Sequence, residues 1–298
     1  TESDQQVFGT NISDLYSGNH PSGAPDKAAT DGMIYKVTGN WTPTEDLLFY
    51  ATYSEGFRPG LLNRPGGAAG PGGFTVPYAV DTDEVKNYEI GWKTELFDNS
   101  LRFNGSAFFV DIEGLQTTIF DPSITNLFFS DNAANAELKG VEGDFTWAPL
   151  DIDGLTIAGA FSILDTEITE VLTPTNDVLK GGELAFAPGF QGNLRARYEW
   201  EIEHQIAGSS LTAHVMPQIV FSDSSYTDII EINKLELDGY VTLGGTLGVT
   251  ADNWGVELFA TNLTNEHAEL SGNFVFDRQR ITPMRPRTIG VRFNYGFN

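Results

Sequence analysis

Cysteine is missing from all 298 residues, which removes disulfide scaffolds, thiolate metal sites and cysteine nucleophiles together, though it is compatible with either redox compartment. Positive charge is scarce. Seventeen Lys and Arg stand against 41 Asp and Glu, a net charge of −24, so a phosphate-binding surface would have to assemble from few scattered cations. This argues against nucleic acid as a partner. Histidine is rare too. His20, His204, His214 and His267 are dispersed, with no His-x-x-x-His spacing and no Ser, His and carboxylate constellation, so neither a metal cluster nor an enzyme is read here. No stretch approaches the ~18 apolar residues that a spanning helix requires. The opening TESDQQVFGTNISD lacks the charged region, apolar core and cleavage site of a leader, so the chain reads as a mature segment or a piece of something longer.

What is present is β-forming. Thirty-two Gly, 21 Phe, ten Tyr and five Trp accompany a 40% hydrophobic content, enough apolar surface to disfavour disorder. From Met33 onward apolar and polar residues alternate with period two. Ile289, Val291, Phe293, Tyr295 and Phe297 face one way, and Thr288, Gly290, Arg292, Asn294 and Gly296 the other. About eleven such segments are predicted, over 33–42, 47–57, 85–97, 100–117, 134–148, 154–168, 186–201, 209–222, 238–251, 254–264 and 286–297. Each is close to or longer than the ~9–11 residues with which a tilted strand crosses a bilayer.

Alternation alone fits a soluble sandwich equally well, so the connections must decide. Short turns at 42–46, 98–99, 149–154, 203–208 and 252–253 alternate with long polar links at 58–84, 118–133, 169–185, 223–237 and 265–285. An up-and-down outer-membrane barrel has this pattern, with turns in the periplasm and loops outside. Trp41, Trp147, Trp200 and Trp254 fall at the turn-side strand ends on the apolar face, as an interfacial aromatic girdle would. The expected fold is therefore all-β, an antiparallel transmembrane up-and-down barrel. Glu89, Lys93, Arg102, Glu142, Asp144, Arg195, Arg197, Glu257 and Arg292 then line the lumen, because Arg or Lys facing lipid at the midplane costs roughly 2–4 kcal/mol.

At this point the residues resemble the carboxy-terminal half of the barrel of TonB-dependent outer-membrane receptors. The run from Ile34 to Gly60, containing Tyr53-Ser54-Glu55-Gly56-Phe57-Arg58-Pro59-Gly60, is similar to a strand, turn and strand of that family. Asn87-Tyr88-Glu89-Ile90-Gly91-Trp92-Lys93, Gly140-Val141-Glu142-Gly143-Asp144, Asn262-Leu263-Thr264-Asn265 and the run Pro286 to Phe293 resemble further elements in the same order. The resemblance implies a 22-stranded barrel, plugged by an amino-terminal domain and driven through TonB, that takes up a scarce nutrient such as a metal chelate or an oligosaccharide. Residues 1–31 would be the tail of an extracellular loop and 32–298 the carboxy-terminal portion of the barrel, with plug and energy-coupling box absent from this chain. The implied partners are outer-membrane lipid and lipopolysaccharide, the plug and remaining strands, the TonB complex, the outer-membrane assembly machinery and the nutrient. A passive porin and a secreted β-rich adhesin are the alternatives. Phe293, Tyr295 and Phe297 match the family's assembly signal, although here Asn298 follows the aromatic residue that usually comes last.

Phe57, Arg58, Arg64, Phe74 and Tyr78 on the first long link are the expected ligand contacts, since stacking rings and Arg donors suit sugars, chelates and anions. Loop packing is the competing explanation for each. No cofactor is expected. Asp81, Asp83 and Glu84 are weighed as a Ca²⁺ or Mg²⁺ site against a plain solvated acidic loop. Across 1–31 and the later loop segments, 21 acidic against 8 basic residues give a net −13, which favours a neutral or cationic cargo.

Overall fold

The computed structural model describes residues 3–6, 27–63, 66–70, 73–121, 125–206, 209–275 and 278–296. Eleven strands form one sheet: β1 (Lys36–Thr44), β2 (Leu47–Arg58), β3 (Asp83–Leu96), β4 (Leu101–Asp121), β5 (Thr125–Trp147), β6 (Leu155–Val171), β7 (Phe190–Ile206), β8 (Ser209–Ser222), β9 (Tyr240–Thr250), β10 (Trp254–Thr261) and β11 (Thr288–Tyr295). Each pairs antiparallel with its sequence neighbours, so the topology is a pure meander. Among the described residues, four two-stranded pairs lie outside it, the first joining Ser3–Gln6 to Lys27–Thr30.

The register carries one polar face across the sheet. Lys93 pairs with Asn104, Asn104 with Asp144, Asp144 with Ala160, and at the far side Glu257 pairs with Arg292. The opposite face exposes Phe49, Ile90, Val141, Ile163, Leu194, Val215, Leu247, Leu258 and Val291, an apolar surface with no protein partner. Such a surface is stable against hydrocarbon and costly against water. Trp41, Trp147 and Trp200 are on it and exposed, at the ends that lead into short turns.

Close strand packing uses glycine where a ring crosses a neighbour. A Cβ on Gly140 would lie 2.4 Å from the Phe108 ring, and one on Gly105 would lie 2.4 Å from Trp92. The turn end is tight. In the 97–100 connection Phe97, Asp98 and Asn99 all have positive φ, a conformation that Asp and Asn tolerate better than most residues.

One predicted connection is corrected. Residues 118–133 are not a long polar link; β4 and β5 continue as a paired hairpin to Asp121 and Thr125. Two register shifts, between Ile112 and Leu115 and between Leu115 and Gln116, flip the side-chain parity. Alternation therefore breaks in the sequence while hydrogen bonding persists, which is what a β-bulge does. Gly114, at φ +66, sits in the first bulge, and its N–H donates to the Asn135 side chain at 2.8 Å.

Candidate functional site

The long connections do not trail into solvent. Val76 from the 59–82 link, Ile119 and Phe129 from the extended hairpin, Ile168 from β6, Val178 from the next link, and Ile229 and Ile230 from the fourth form one buried cluster. Ile168 stands on the same face as Ser162 and Glu142, so the cluster gathers on the polar side of the sheet at its loop end. The loops thus fold into a cap over that end of the polar face.

Side-chain amides hold the cap where no strand ladder is available. Asn63 donates to the Ser130 carbonyl at 2.8 Å and accepts from the Ser130 N–H at 2.8 Å, imitating a strand partner. Asn132 donates to the carbonyls of Gly114 at 2.7 Å and Asp81 at 3.0 Å, while accepting from the Asp81 N–H. Gln116 donates to the Asp81 carbonyl at 2.9 Å. None of these three stood out in the sequence, because their role depends on which distant backbone groups come within reach.

The predicted ligand contacts do not converge. Phe74 packs on Phe129 with ring centroids 5.5 Å apart and belongs to the cap's core. Tyr78 lies against Gly66 and Gly67. Phe57 and Arg58 are adjacent in β2 and point to opposite faces, Phe57 to the apolar one, and Arg64 lies outside the described residues. Arg58 faces the polar side. It is clamped by Asp83, whose carboxylate accepts from Arg58 Nε at 2.6 Å, from its Nη2 and from its backbone N–H at 2.9 Å. Asp83 is thereby buried and saturated, and Glu84 pairs with Phe57 on the opposite face. Asp81, Asp83 and Glu84 therefore do not form a cation site, and no acidic or histidine group able to hold a metal occurs among the described residues.

A second carboxylate centre lies deeper. Asp121 is fully buried and accepts from Thr175 Oγ1 at 2.6 Å, and Asp177 lies beside it. Burial first, and then the charge of Asp121, push the Asp177 carboxyl above the usual carboxylate range. Burial likewise raises Asp228, partly offset by the amides of Ile230 and Ile229. Part of the formal −13 of the loop segments is thus engaged inside the cap, Asp83 being paired with Arg58 and Asp121 buried and hydrogen-bonded.

All nine expected wall residues share the polar face, and several are linked along it. Tyr50 donates to Glu89 at 2.5 Å, Asn104 to Asp144 at 3.2 Å, Ser106 to Glu142 at 3.4 Å and Arg197 to Glu199 at 2.6 Å. His214, buried, reaches across Gly248 to Glu257 at 3.1 Å, and Glu257 accepts from Arg292 at 2.5 Å. Phe293 and Tyr295 are exposed on the apolar face; Phe297 lies outside the described residues.

With this geometry in place, the family model for the TonB dependent receptor-like β-barrel matches residues 7–263. The chain belongs to the TonB-dependent receptors. Among curated relatives of this receptor chain, the metal-pseudopaline receptor CntO of Pseudomonas aeruginosa is 26% identical over 278 residues, covering 90% of this chain and 34% of CntO. The probable TonB-dependent siderophore receptor PiuA of Acinetobacter baumannii is 22% identical over 234 residues, covering 76% of the chain and 28% of PiuA. The chain thus spans about a third of the length of these relatives. In three dimensions it resembles the ferric yersiniabactin uptake receptor FyuA of Yersinia pestis, with a TM-score of 0.70 at 18% identity over 91% of this chain and 38% of FyuA. It also resembles crystalline PiuA, with a TM-score of 0.69 over 99% of this chain and 39% of PiuA. The eleven strands correspond to part of the family's 22-stranded barrel, the protein resides in the outer membrane, and the family comprises transporters rather than enzymes.

Proposed function

We propose that the complete receptor carries a metal chelate across the outer membrane in a TonB-coupled cycle. The observation that carries this reading is the capped meander: a family-typical wall whose loops pack into one core over the loop end of the polar face. On this reading residues 1–31 form the tail of an outside loop, 32–298 form the carboxy-terminal wall, and the plug and coupling box belong to the rest of the receptor. The nine polar-face residues from Glu89 to Arg292 line the lumen, and Arg58 is the ligand-facing member of the first loop. Phe293 and Tyr295 serve the assembly machinery.

Uptake assays test the reading. Cells lacking the receptor should lose accumulation of a labelled metal chelate, as should cells lacking TonB. Accumulation that disappears without the receptor but persists without TonB would make it a passive porin. Topology has its own test. Single cysteines at Gly70 or Asn176 of the complete receptor should react with an impermeant maleimide on intact cells, and cysteines at Asp98, Gly154 or Asp252 should not.

A further inference from the structure

Cations are scarce in this chain, yet Arg278, Arg280, Arg285, Arg287 and Arg292 fall within fifteen consecutive residues that contain no Asp or Glu. Arg292 is paired with Glu257 on the wall. The four before it are exposed, and none of them makes an ion pair among the described residues. Arg285 borders a pocket. It lies on the polar face at the loop end, where Gln218 pairs with Gly244 and Val220 with Thr242 across β8 and β9. Its volume is about 150 Å³, and Gln218, Thr242, Gly244, Thr261, Met284 and Arg285 are among the residues that line it. No carboxylate does.

The backbone around this pocket is pinned. Asn262, buried and at φ +51, donates to the Arg285 carbonyl at 3.1 Å and to the Glu266 carbonyl at 2.9 Å, tying both sides of the last loop to the end of β10. The Met284 N–H donates to the Ala268 carbonyl at 2.8 Å. A Cβ on Gly244 would lie 2.8 Å from Gln218 Nε2, so glycine is what lets that amide lie against the wall. The donors are unspent. Thr242 is only 9% exposed, and its hydroxyl makes no hydrogen bond among the described residues; nor do the Gln218 amide, the Thr261 hydroxyl and the Arg285 guanidinium. A hydroxyl as buried as that of Thr242 ordinarily has a partner. A guanidinium, an amide and two hydroxyls around one space without a carboxylate compose a receptor for an anion, and a space this small takes one group of a ligand and not the whole of it.

We propose that this pocket seats a carboxylate borne by the transported metal chelate, with Arg285 supplying the charge-assisted bonds and Thr242, Thr261 and Gln218 the neutral donors. The proposal deepens the chelate-transport reading and rests on it. The net charge of the loops argues the other way, for a neutral or cationic cargo. That sum acts at a distance and is screened over a Debye length of about 8 Å, whereas a guanidinium in contact with its ligand is not. The local donor set therefore decides which group seats here.

The test has two arms. The first reads the pocket alone: saturation-transfer NMR of tricarballylate, a metal-free tricarboxylate, with the complete receptor in a mild detergent. The signal should fall several-fold in Arg285→Gln and in Thr242→Val, whereas Arg278→Gln, which removes the same charge outside the pocket, should leave it unchanged. Heat-modifiable gel mobility certifies that each variant is folded. No signal in the wild type, an unchanged signal in Arg285→Gln, or equal losses in Arg285→Gln and Arg278→Gln would overturn the site. The second arm reads the cargo, as uptake of radioactive iron by cells lacking other iron receptors. Iron(III) citrate, which carries free carboxylates, should enter in preference to iron(III) desferrioxamine B, which has none, and its uptake should drop about tenfold in Arg285→Gln. Uptake confined to desferrioxamine B would overturn the proposal. A receptor that passes the tricarballylate arm yet accumulates no metal chelate refutes the transport reading and leaves the carboxylate pocket standing.

Discussion

The two ends of this sheet are held by different physics. At the turn end, short connections and regular ladders set every position, and the apolar side chains face outward with no protein neighbour. At the loop end, the connections share a buried apolar cluster and lend side-chain amides to one another's backbones. The wall depends on its surroundings being hydrocarbon, whereas the cap behaves as a small water-soluble core. A substitution should accordingly be read by the solvent its side chain meets, not by its distance from a ligand.

The sharpest way to break that contrast is Phe129→Ala. Removing a fully buried ring from the cap should cost about 3–5 kcal/mol locally. Hydrogen exchange should accelerate over 59–82 and 172–189 while the wall strands keep their protection; uniform loss across both regions would merge the two into one cooperative unit. Next comes a pair of neighbours in β5. Val141→Arg puts a charge into the outward belt and should cost roughly 2–4 kcal/mol if the site is near the midplane, whereas Glu142→Arg on the polar face should cost much less. Urea titration of folded, lipid-embedded protein separates them, and equal midpoints would dismiss the assignment of faces.

Smaller effects sharpen the comparison within the wall. Gly140→Ala drives a methyl into the Phe108 ring and should destabilise by about 1–3 kcal/mol. Gly39→Ala, where a Cβ would meet nothing within 4 Å, should be neutral or slightly stabilising. The smallest expected effect is a pH slope confined to the cap. Because Asp177 is raised in the folded state, its contribution is fully present below the carboxyl's unfolded value and is lost as pH rises through its folded one. Loop protection should therefore fall as pH is raised through that window, and Asp177→Asn should flatten the dependence; an unchanged slope in the variant would assign it to Asp228 or another group.

Legibility followed the same division. Period-two alternation marked all eleven wall strands and both faces, because a strand buried on one side by lipid and on the other by water writes its environment into every second residue. The turn-side tryptophans were legible for the same reason. The extension of β4 and β5 was not, since a bulge adds one residue and inverts the code without stopping the ladder. The ligand candidates on 58–84 were read by residue type, and type does not distinguish Phe74 packed on Phe129 from a ring awaiting a ligand.

The sequence by itself determined the strand code, the alternation of short and long connections, and with them the membrane wall and its family. Those features are local, each settled within a few residues by the solvent on either side of a strand. Only the tertiary structure decided the cap: that Asp83 is spent on Arg58, that Asn63 stands in for a strand, and that Asp177 comes to lie beside the buried Asp121. Those pairings join residues tens of positions apart. Which distant groups meet is fixed by the register of the strands that carry the loops, a quantity no single segment contains.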